Sequence, residues 1–410
     1  MTFQPNDSIK RVLGFTVAGV HAGMKKNGNH DFTLIVSDRD CVADGVFTKN
    51  QSKAAPVLVS QETLAAQPTH IRAVAINTTS ANAMTGRVGI ENARTTERMA
   101  ANKLNIESEQ VLVMSTGVIG THLPMPKIEN GIELAQKALG NDWLSAAKGI
   151  MTTDTRPKMA SLTVFTTDGE YTIAGISKGA GMIAPNMATM LGVIVTDAKL
   201  SKEQCKFALT YANDHSFNRI VVDGDTSTND TVFLLANGAS GVSLKTAADI
   251  AQFNEALTAV ARSLAQQIVR DGEGATKFIT LAISGAKNDK EAHAIGHTIA
   301  ASPLVKTAFF GGDANWGRIV AAAGRADATF NPDTAQLTIA KGELPTEKEP
   351  GLVLFKDGLP TRYSEEEATA IFKEQNIYVG LELGLGQGSA TVWTCDLSHE
   401  YVTINGDYRS

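Results

Sequence analysis

Cysteine is scarce in this sequence, and the scarcity narrows the classes of protein to which the chain can belong. The 410 residues include Cys41, Cys205 and Cys395, which lie far apart and form no CxxC pair. This spacing excludes a zinc ribbon and a thioredoxin-like redox motif. An odd number of scattered thiols is typical of a reducing compartment. The amino-terminal segment MTFQPNDSIKRVLGF lacks the long apolar core of a secretory signal, so we expect a cytoplasmic protein.

Long runs of like charge and long apolar runs are also missing. No run of five like charges occurs among the 37 basic and 43 acidic residues, whose formal net charge is −6. This balance disfavours binding to nucleic acid or to an anionic membrane surface. No apolar stretch approaches the roughly 20 residues that a membrane-spanning helix needs. We therefore expect small-molecule partners, with neither nucleic acid nor membrane involved.

The common motifs for metal binding, nucleotide binding and serine catalysis are absent too. His293 and His297 have the i, i+4 spacing of two ligands on a helix, but no HExxH motif and no nearby cysteine accompanies them. The glycine-rich segment 384–388 lacks the G-x-G-x-x-G spacing and is followed by a strand-like segment. No GxSxG motif occurs. We expect no metal and no nucleotide site, and we predict a flexible hairpin turn at residues 384–388.

The composition and the residue pattern are those of a globular α+β protein. Hydrophobic residues make up 43% and charged residues 20% of the chain, and its length suits two or three folded units. The principal predicted strands are 31–37, 70–77, 110–116, 161–166, 170–176, 191–196 and 276–284. The principal predicted helices are 91–104, 247–270 and 364–373, with another beginning at a Ser201–Gln204 capping box. A soft boundary lies near residues 285–290, and the mixed sheets are expected to be covered by helices.

The segment from Ser177 to Met190 (SKGAGMIAPNMATM) follows neither a helical nor a strand period, and we predict a loop. Thr189, near its end, has two interpretations. A β-branched residue before an apolar strand is an ordinary strand starter. Alternatively, cleavage of the Ala188–Thr189 bond would leave Thr189 with a free α-amine beside its own hydroxyl. Such an amine has a pKa of about 7.7–8.0, which suits a general base at neutral pH and takes the place of a catalytic histidine.

Two other threonine-containing segments also allow two interpretations each. Ser115-Thr116-Gly117 closes a predicted buried strand, where a hydroxyl and a backbone N–H can form an oxyanion hole. An ordinary strand-to-loop turn explains the same residues. The segment 152–155, Thr-Thr-Asp-Thr, ends a helix-like stretch and is equally consistent with a turn or a cap.

Several long motifs in a fixed order resemble those of a known family. They are STGVIG at 115–120, MTTDT at 151–155, KGAGMIAPNMATML at 178–191, SFNRIVVDGDTSTNDT at 216–231, GDANWGRI at 312–319 and YVTINGDYRS at 401–410. From about Gly19 to Ser410 the chain resembles the ornithine acetyltransferase (ArgJ) family of arginine biosynthesis. It departs from the family's NSGNANACTG-like loop, which reads NTTSANAMTG at 77–86, with Thr79 for glycine and Met84 for cysteine. If this loop borders the acetyl or amino-acid site, we expect the departure to alter donor preference.

The resemblance implies roles for individual residues. Thr189 is the implied nucleophile, which self-cleavage after Ala188 exposes as the first residue of a second chain. Thr116 and Gly117 are the implied oxyanion-hole pair. The implied substrate contacts are Thr152, Lys178, Thr189, Glu273, Asn405 and Ser410. Within 152–155 the contacting threonine is left open among Thr152, Thr153 and Thr155.

The resemblance also implies the reaction and the fold. The expected reaction is a ping-pong transfer of acetyl from N-acetylornithine to glutamate through acetyl-Thr189, without metal or organic cofactor. Acetyl-CoA stays open as a further donor. The expected chains are an alpha chain (residues 1–188) and a beta chain (189–410, with a smaller α+β subdomain from about 288 to 410), assembled as two alpha and two beta. The implied fold is a layered α/β/β/α sandwich of the DmpA/ArgJ type.

Two functions of other classes remain open. One is a self-processing aminopeptidase or amidase of the same fold, in which water takes the acyl group. The carboxyl-terminal segment 405–410, which matches the transferase family, argues against it. The other is a non-catalytic binding protein in which Thr189 is a plain strand residue, and an uncut chain would favour that function.

Overall fold

The computed structural model describes residues 3–184 and 190–407. The chain forms two compact units, one made of Met1–Asn218 with Asp225–Ile268, the other of Arg219–Gly224 with Val269–Ser410. Each unit contains a sheet of its own. None of the helices in the described ranges is long and apolar enough to cross a membrane.

The strands and helices are numbered in chain order. The strands are β1 (Phe15–Val20), β2 (Phe32–Phe47), β3 (Ile71–Asn77), β4 (Val111–Ser115), β5 (Lys158–Thr166), β6 (Gly169–Lys178), β7 (Leu191–Thr196), β8 (Ile220–Val221), β9 (Thr231–Ala236), β10 (Phe278–Ala286), β11 (Gln336–Lys341), β12 (Leu352–Lys356), β13 (Leu359–Pro360), β14 (Asn376–Glu382) and β15 (Gly388–Cys395). The helices are α1 (Ala55–Ala66), α2 (Gly86–Leu104), α3 (Met125–Lys137), α4 (Trp143–Gly149), α5 (Lys202–Asp214), α6 (Ala247–Arg270), α7 (Asp289–Ala300), α8 (Pro303–Gly311), α9 (Trp316–Gly324), α10 (Glu365–Phe372) and α11 (His399–Gly406).

The sheet of the first unit has the strand order β4-β3-β2-β9-β7-β6-β5, with β1 also paired to β2. The long strand β2 belongs to both halves of this sheet. Its first part pairs with β1 and β3, its last six residues pair with β9, and the register shifts between Val36 and Cys41. Pairs β3–β4 and β7–β9 are parallel. The carboxyl ends of β3 and β4 therefore lie at one edge of the sheet.

Two hydrophobic cores lie on opposite faces of the first half of this sheet, because successive side chains of a strand point to opposite faces. From β3, Val74 and Ile76 join Phe233 of β9 in a core between the two halves. Ala73 and Ala75 belong to a second core, which includes side chains of α2 and α3. The first half of the sheet is therefore covered by helices on one side and by the second half on the other.

Helix α6 covers the outer face of the second half. The rings of Tyr171 on β6 and Phe253 on α6 lie 5.7 Å apart. The Gln267 amide donates to the Met159 carbonyl of β5 at 3.0 Å. These contacts complete a four-layer arrangement of helices, sheet, sheet and helices. The predicted layered α/β/β/α sandwich is confirmed.

The second unit is built on one mixed sheet with the strand order β13-β12-β11-β14-β10-β15-β8. The central strand β10 runs parallel to β14 and antiparallel to β15. Helix α7 packs so closely on this sheet that a Cβ at Gly296 would lie 2.9 Å from the side chain of Val392. The predicted α+β class holds for this unit as well. The predicted subdomain of about residues 288–410 stays a prediction, while this compact unit includes Val269 and the residues after it.

The predicted hairpin turn at Gly384–Gly388 is wrong. The strands on its two sides, β14 and β15, do not pair with each other, because both pair with β10, which lies between them. The segment therefore reverses the direction of the chain but crosses over β10, because β14 runs parallel and β15 antiparallel to that strand. It is anchored to the end of β10, where the Leu385 N–H donates to the Gly285 carbonyl at 2.7 Å. Turn-forming residues favour both connections, so the local pattern did not distinguish them.

The predicted start of the central loop is also wrong by two residues. Ser177 and Lys178 are the last residues of β6, and they pair with Gly192 and Leu191 of β7. The loop is therefore the connection between two adjacent antiparallel strands. The backbone of Lys178 is therefore fixed by its pairing with Leu191.

Other local predictions are confirmed. The segment around Asp168 and Gly169 joins β5 and β6 as a hairpin. Ser201 and Gln204 form the predicted capping box of α5, and α6 spans the predicted range 247–270.

Candidate active site

The end of β4 presents two hydrogen-bond donors side by side. The Thr116 N–H donates to the Asn77 carbonyl at 3.0 Å, which continues the parallel pairing of β3 and β4. Within the described residues, neither the Thr116 hydroxyl nor the Gly117 N–H has a hydrogen-bond partner, and both residues are half-buried. Two unpaired donors at a strand end fit an oxyanion hole, in which such groups stabilise a developing negative charge.

Only glycine fits at position 117. Its φ of +132° lies in a region that side chains rarely adopt, and a Cβ there would stand 2.2 Å from the carbonyl carbon of Thr79. The Val118 N–H donates to the Thr79 carbonyl oxygen at 3.0 Å. The loop after β3 therefore packs directly against the peptide that carries the Gly117 N–H.

That loop holds several residues in the left-handed conformation. Thr79, Asn82 and Met84 have φ values of 71°, 49° and 56°. A β-branched residue such as threonine is rare at positive φ, and such strain persists only where the surroundings impose it. Thr79 and Met84, which stand where the family's loop pattern has glycine and cysteine, both fall on these positions.

Asn229, a buried residue before β9, connects this loop with the end of β4. Its Nδ2 donates to the Ala81 carbonyl at 2.6 Å and to the Ser115 carbonyl at 2.8 Å. Its Oδ1 accepts a hydrogen bond from the Thr228 hydroxyl at 2.6 Å. The three partners settle the orientation of the amide, since a flipped amide would place its oxygen against two carbonyl oxygens.

The same segment reaches the start of β7. The Thr231 hydroxyl donates to the Asn229 carbonyl at 2.9 Å, and the Thr231 N–H donates to the Met190 carbonyl at 3.0 Å. Met190 is the residue after Thr189 in the sequence. The described neighbour of the predicted nucleophile is thus tied, through Thr231 and Asn229, to the end of β4.

Asp154 joins two of the predicted substrate-binding segments. One carboxylate oxygen accepts from the Thr152 N–H at 2.9 Å. The other accepts from the Gly179 N–H and from the Lys158 Nζ, both at 2.7 Å. Gly179 follows Lys178 directly, so the Asp154 carboxylate fixes the backbone at Thr152 and beside Lys178 at the same time.

The charges in this part of the site favour a bound anion. Burial alone would raise the pKa of the Asp154 carboxyl, but the charges of Lys158 and Lys178, with the hydrogen bonds that it accepts from Lys158 and Gly179, hold this pKa well below its ordinary value. Burial lowers the pKa of Lys25. The charges of Asp31 and Asp154 act against this shift, and the charge of Lys178 adds to it. Lysine ammonium groups around one paired carboxylate suit a substrate carboxylate.

Two predicted contacts meet in the second unit. The Asn405 Nδ2 on α11 donates to the buried Glu273 carboxylate at 2.8 Å. The Glu273 loop is held by its neighbours: the Ser398 hydroxyl donates to the Gly274 carbonyl at 2.6 Å, and the Thr276 N–H donates to the Asp396 carboxylate at 2.8 Å. A carboxylate placed in this way can accept a hydrogen bond from an ammonium group.

The predicted site residues thus fall into three sets. Thr116, Gly117, Thr152 and Lys178 belong to the first unit, and Glu273 and Asn405 to the second. Ala188, Thr189 and Ser410 lie outside the described residues. Residue-by-residue reasoning gave no role to Asp154 or Asn229, although both lie inside the quoted motifs at 151–155 and 216–231. The feature that could have identified them is an acidic or amide side chain within a motif rich in small hydroxyl residues.

Comparisons with known proteins show the family of the chain. The model of the ArgJ family matches residues 16–410. The chain is 46% identical over 407 residues to the arginine biosynthesis bifunctional protein ArgJ, mitochondrial, of Yarrowia lipolytica, a match that covers 97% of this chain and 94% of that protein. It is 43% identical over 413 residues to the protein of the same name from Schizosaccharomyces pombe, which covers 97% and 92%. A solved structure of the arginine biosynthesis bifunctional protein argJ from Bacillus halodurans is 40% identical, with a TM-score of 0.47, over 51% of this chain and 95% of that chain. With a family match over nearly its whole length and relatives of this identity, the chain belongs to the ArgJ family.

Proposed function

We propose that this protein is a glutamate N-acetyltransferase of arginine biosynthesis, which moves an acetyl group from N-acetylornithine to glutamate. The observation that carries the proposal is the pair of donors on Thr116 and Gly117, tied through Asn229 and Thr231 to the residue that follows Thr189. The names of the relatives, bifunctional ArgJ proteins of arginine biosynthesis, support the same function. An acyl transfer needs a nucleophile and an oxyanion hole. In this proposal Thr189 is the nucleophile, and Thr116 and Gly117 form the oxyanion hole.

In the first half-reaction the Thr189 hydroxyl attacks the acetyl carbonyl carbon of N-acetylornithine. Its proton passes to the Thr189 α-amine, which has a pKa of about 7.7–8.0 in an unperturbed amino terminus. The developing O⁻ accepts hydrogen bonds from the Thr116 hydroxyl and the Gly117 N–H. The C–N bond then breaks, ornithine leaves with the proton from the α-ammonium, and acetyl-Thr189 remains.

In the second half-reaction the α-amine of glutamate attacks acetyl-Thr189 and gives up a proton to the Thr189 α-amine. The ester bond breaks, the Thr189 oxygen recovers a proton, and N-acetylglutamate leaves. Both substrates have an α-amino-acid skeleton, so one set of contacts serves both. The substrate contacts proposed are Thr152, Lys178, Thr189, Glu273, Asn405 and Ser410.

The active form is proposed to be a cleaved one. Self-cleavage between Ala188 and Thr189 yields an alpha chain (1–188) and a beta chain (189–410), and two of each assemble. The chemistry requires no metal and no organic cofactor, and acetyl-CoA is a candidate second donor. We place the protein in the cytoplasm on the grounds of its three unpaired cysteines. The Yarrowia and Schizosaccharomyces relatives carry the word mitochondrial in their names, so cell fractionation is the test of compartment.

The experiment that tests the function is intact-mass spectrometry of the purified protein. After incubation with N-acetylornithine alone, the beta chain is expected to gain the mass of one acetyl group. Addition of glutamate is expected to remove it and to yield N-acetylglutamate. Parallel lines in double-reciprocal plots would accompany a ping-pong scheme, because the first product leaves before the second substrate binds. Acetyl-CoA with glutamate, tested separately, decides whether the enzyme is bifunctional.

The alternatives give distinct results in the same experiment. Release of acetate without acetylglutamate would identify an amidase, in which water discharges the acyl group. Intersecting lines and no acetylated chain would replace the ping-pong scheme with direct transfer between two bound substrates. An uncut, unreactive chain would favour a binding protein.

A further inference from the structure

Asn229 holds the peptide that precedes the two donors of the oxyanion hole. The Ser115–Thr116 peptide is fixed at both of its polar atoms: its N–H donates to Asn77, and its carbonyl accepts from Asn229 at 2.8 Å. The Asn77 contact comes from the adjacent strand β3. The Asn229 contact comes from the segment before β9, a strand that β2 separates from β3 in the sheet. The Asn229 side chain therefore contacts the end of β4, although Asn229 belongs to neither β3 nor β4.

The second donor hydrogen bond of Asn229 fixes the other side of Gly117. Ala81, whose carbonyl accepts at 2.6 Å, belongs to the loop that packs on Gly117. Two backbone hydrogen bonds join that loop to Val118. The Val118 N–H donates to the Thr79 carbonyl, and the Ala81 N–H donates to the Val118 carbonyl at 3.1 Å. One buried amide thus holds the strand before the Gly117 peptide and the loop behind it.

We propose that Asn229 is a positioning residue for the oxyanion hole, which aligns the Thr116 hydroxyl and the Gly117 N–H with the start of β7. This inference rests on the proposed acetyl transfer and adds a residue to it. The proposed role of Asn229 is indirect. It acts through the Ser115 and Ala81 carbonyls on one side and, through its own backbone, on Thr231 and Met190 on the other. Misplacement of a catalytic group by about 1 Å costs up to roughly 10²-fold in rate.

The chain offers a matched control at the opposite end of the same strand. Asn237 follows β9, is 7% exposed against 6% for Asn229, and donates its Nδ2 to the Leu13 carbonyl at 2.9 Å. Its Oδ1 accepts from the Ala239 N–H at 3.0 Å. Asn237→Ala therefore removes a buried bridging amide of the same kind, away from Thr116.

The test compares the steady-state kinetics of Asn229→Ala and Asn237→Ala, with rates normalised to the cleaved fraction found by mass spectrometry. Asn229→Ala is expected to lower kcat by about 10- to 100-fold, with KM for N-acetylornithine within about 2-fold, because only transition-state contacts are disturbed. Asn237→Ala is expected to keep kcat within about 2-fold at a similar loss of thermal stability. Asn229→Leu, which is similar in size and places no charge or oxygen against the two carbonyls, is expected to share the kcat loss and serves if the alanine variant does not fold.

A double-mutant cycle with Thr116→Ala separates positioning from a general structural effect. Thr116→Ala alone is expected to lower kcat by roughly 10²-fold. If Asn229 acts through the oxyanion hole, the double variant loses less than the product of the two single losses. Wild-type kcat in folded, cleaved Asn229→Ala, or losses that multiply fully, would overturn the inference while the proposed function stands. A wild-type protein that forms no acetylglutamate would overturn the function itself.

Discussion

The Asp154 carboxylate and the Lys158 ammonium meet at 2.7 Å, and neither side chain is accessible to solvent. Removing one member of a buried pair leaves the other charged and without its partner, at a cost of about 3–5 kcal/mol. The same carboxylate holds the backbone N–H groups of Thr152 and Gly179. The pair therefore supports both the stability of the first unit and the geometry of its predicted substrate contacts.

Asp154→Asn is expected to lower the free energy of unfolding by about 3–5 kcal/mol at pH 7, as measured by urea denaturation. The exposed pair of Lys245 and Asp168, which are 2.6 Å apart, provides the control. Asp168→Asn is expected to change stability by no more than about 1 kcal/mol. Equal losses in the two variants would contradict a special role of the buried pair.

The contribution of Asp154 to the free energy of unfolding is expected to depend on pH. The folded pKa of this carboxyl lies below its ordinary value of 3.8, so its contribution to stability is present above pH 3.8 and is lost as the pH falls below it. The gap between wild type and Asp154→Asn is therefore expected to be constant from pH 5 to 8 and to shrink in more acidic solution.

Glu97 on α2 predicts a pH effect of the opposite sign. Burial raises its pKa to about 7 from an ordinary 4.5, although the hydrogen bond from Thr63 and the charge of Arg94 act against this rise. Between these pH values the folded protein retains a proton that the unfolded chain has lost. Stability contributed by this group therefore falls as the pH rises through the window, by about 3 kcal/mol in all.

Glu97→Gln is accordingly expected to stabilise the protein at pH 8.5 and to have little effect at pH 4.5, in thermal or urea unfolding. Glu91, on the same helix, is the control, because its hydrogen bond and ion pair with Arg98 lower its pKa. Glu91→Gln is expected to give no gain at pH 8.5. A stabilisation by Glu97→Gln that is the same at both pH values would show that the charge is not its cause.

Gly117→Ala is expected to abolish most of the acetyl transfer. The added methyl group would collide with the Thr79 backbone at 2.2 Å, so the Gly117 N–H must move. Gly120→Ala is the matched control, since Gly120 has φ +83° and a Cβ there would meet no atom within 4 Å. Both variants carry the cost of positive φ, roughly 1 kcal/mol, but only Gly117→Ala is expected to lower kcat by about 10²-fold. Comparable kcat values for the two would argue against a role of the Gly117 N–H.

Thr189→Ala is expected to leave a single uncut and inactive chain. The hydroxyl that would attack the Ala188 carbonyl is then missing, and so is the acceptor of the acetyl group. Mass spectrometry of the purified variant checks this directly, with the wild type expected to show fragments of residues 1–188 and 189–410. Continued cleavage of Thr189→Ala at the same bond would show that this hydroxyl does not carry out the cleavage.

Local features of the sequence were sufficient for most elements. The long amphipathic period of 247–270 and the capping box at Ser201 predicted helices that the structure contains. The predicted end of a buried strand beside Thr116 and Gly117 corresponds to the end of β4 at Ser115. These features depend on residues a few positions apart, and their physical causes (side-chain periodicity, capping and strand termination) are local as well.

The connection at Gly384–Gly388 shows where local information ends. Its glycines permit a sharp change of direction, but whether β14 and β15 become neighbours depends on β10, about a hundred residues earlier in the chain. The sequence pattern placed Lys178 in the loop, although it is the last residue of β6, for a related reason. Its pairing with Leu191 spans a loop whose composition gives no period.

The sequence by itself determined the family, through its motifs, and it predicted the chemistry: a threonine in place of a histidine-based triad, and the residue types of an oxyanion hole. Only the tertiary structure decided how these residues are held. Asn229 lies 114 positions from Ser115, and its bond to that carbonyl exists because β9 brings it to the end of β4. Asp154 likewise meets Gly179 across 25 positions. A buried polar group finds its partner through the folded backbone, and neither composition nor periodicity encodes which distant carbonyl or N–H that partner is.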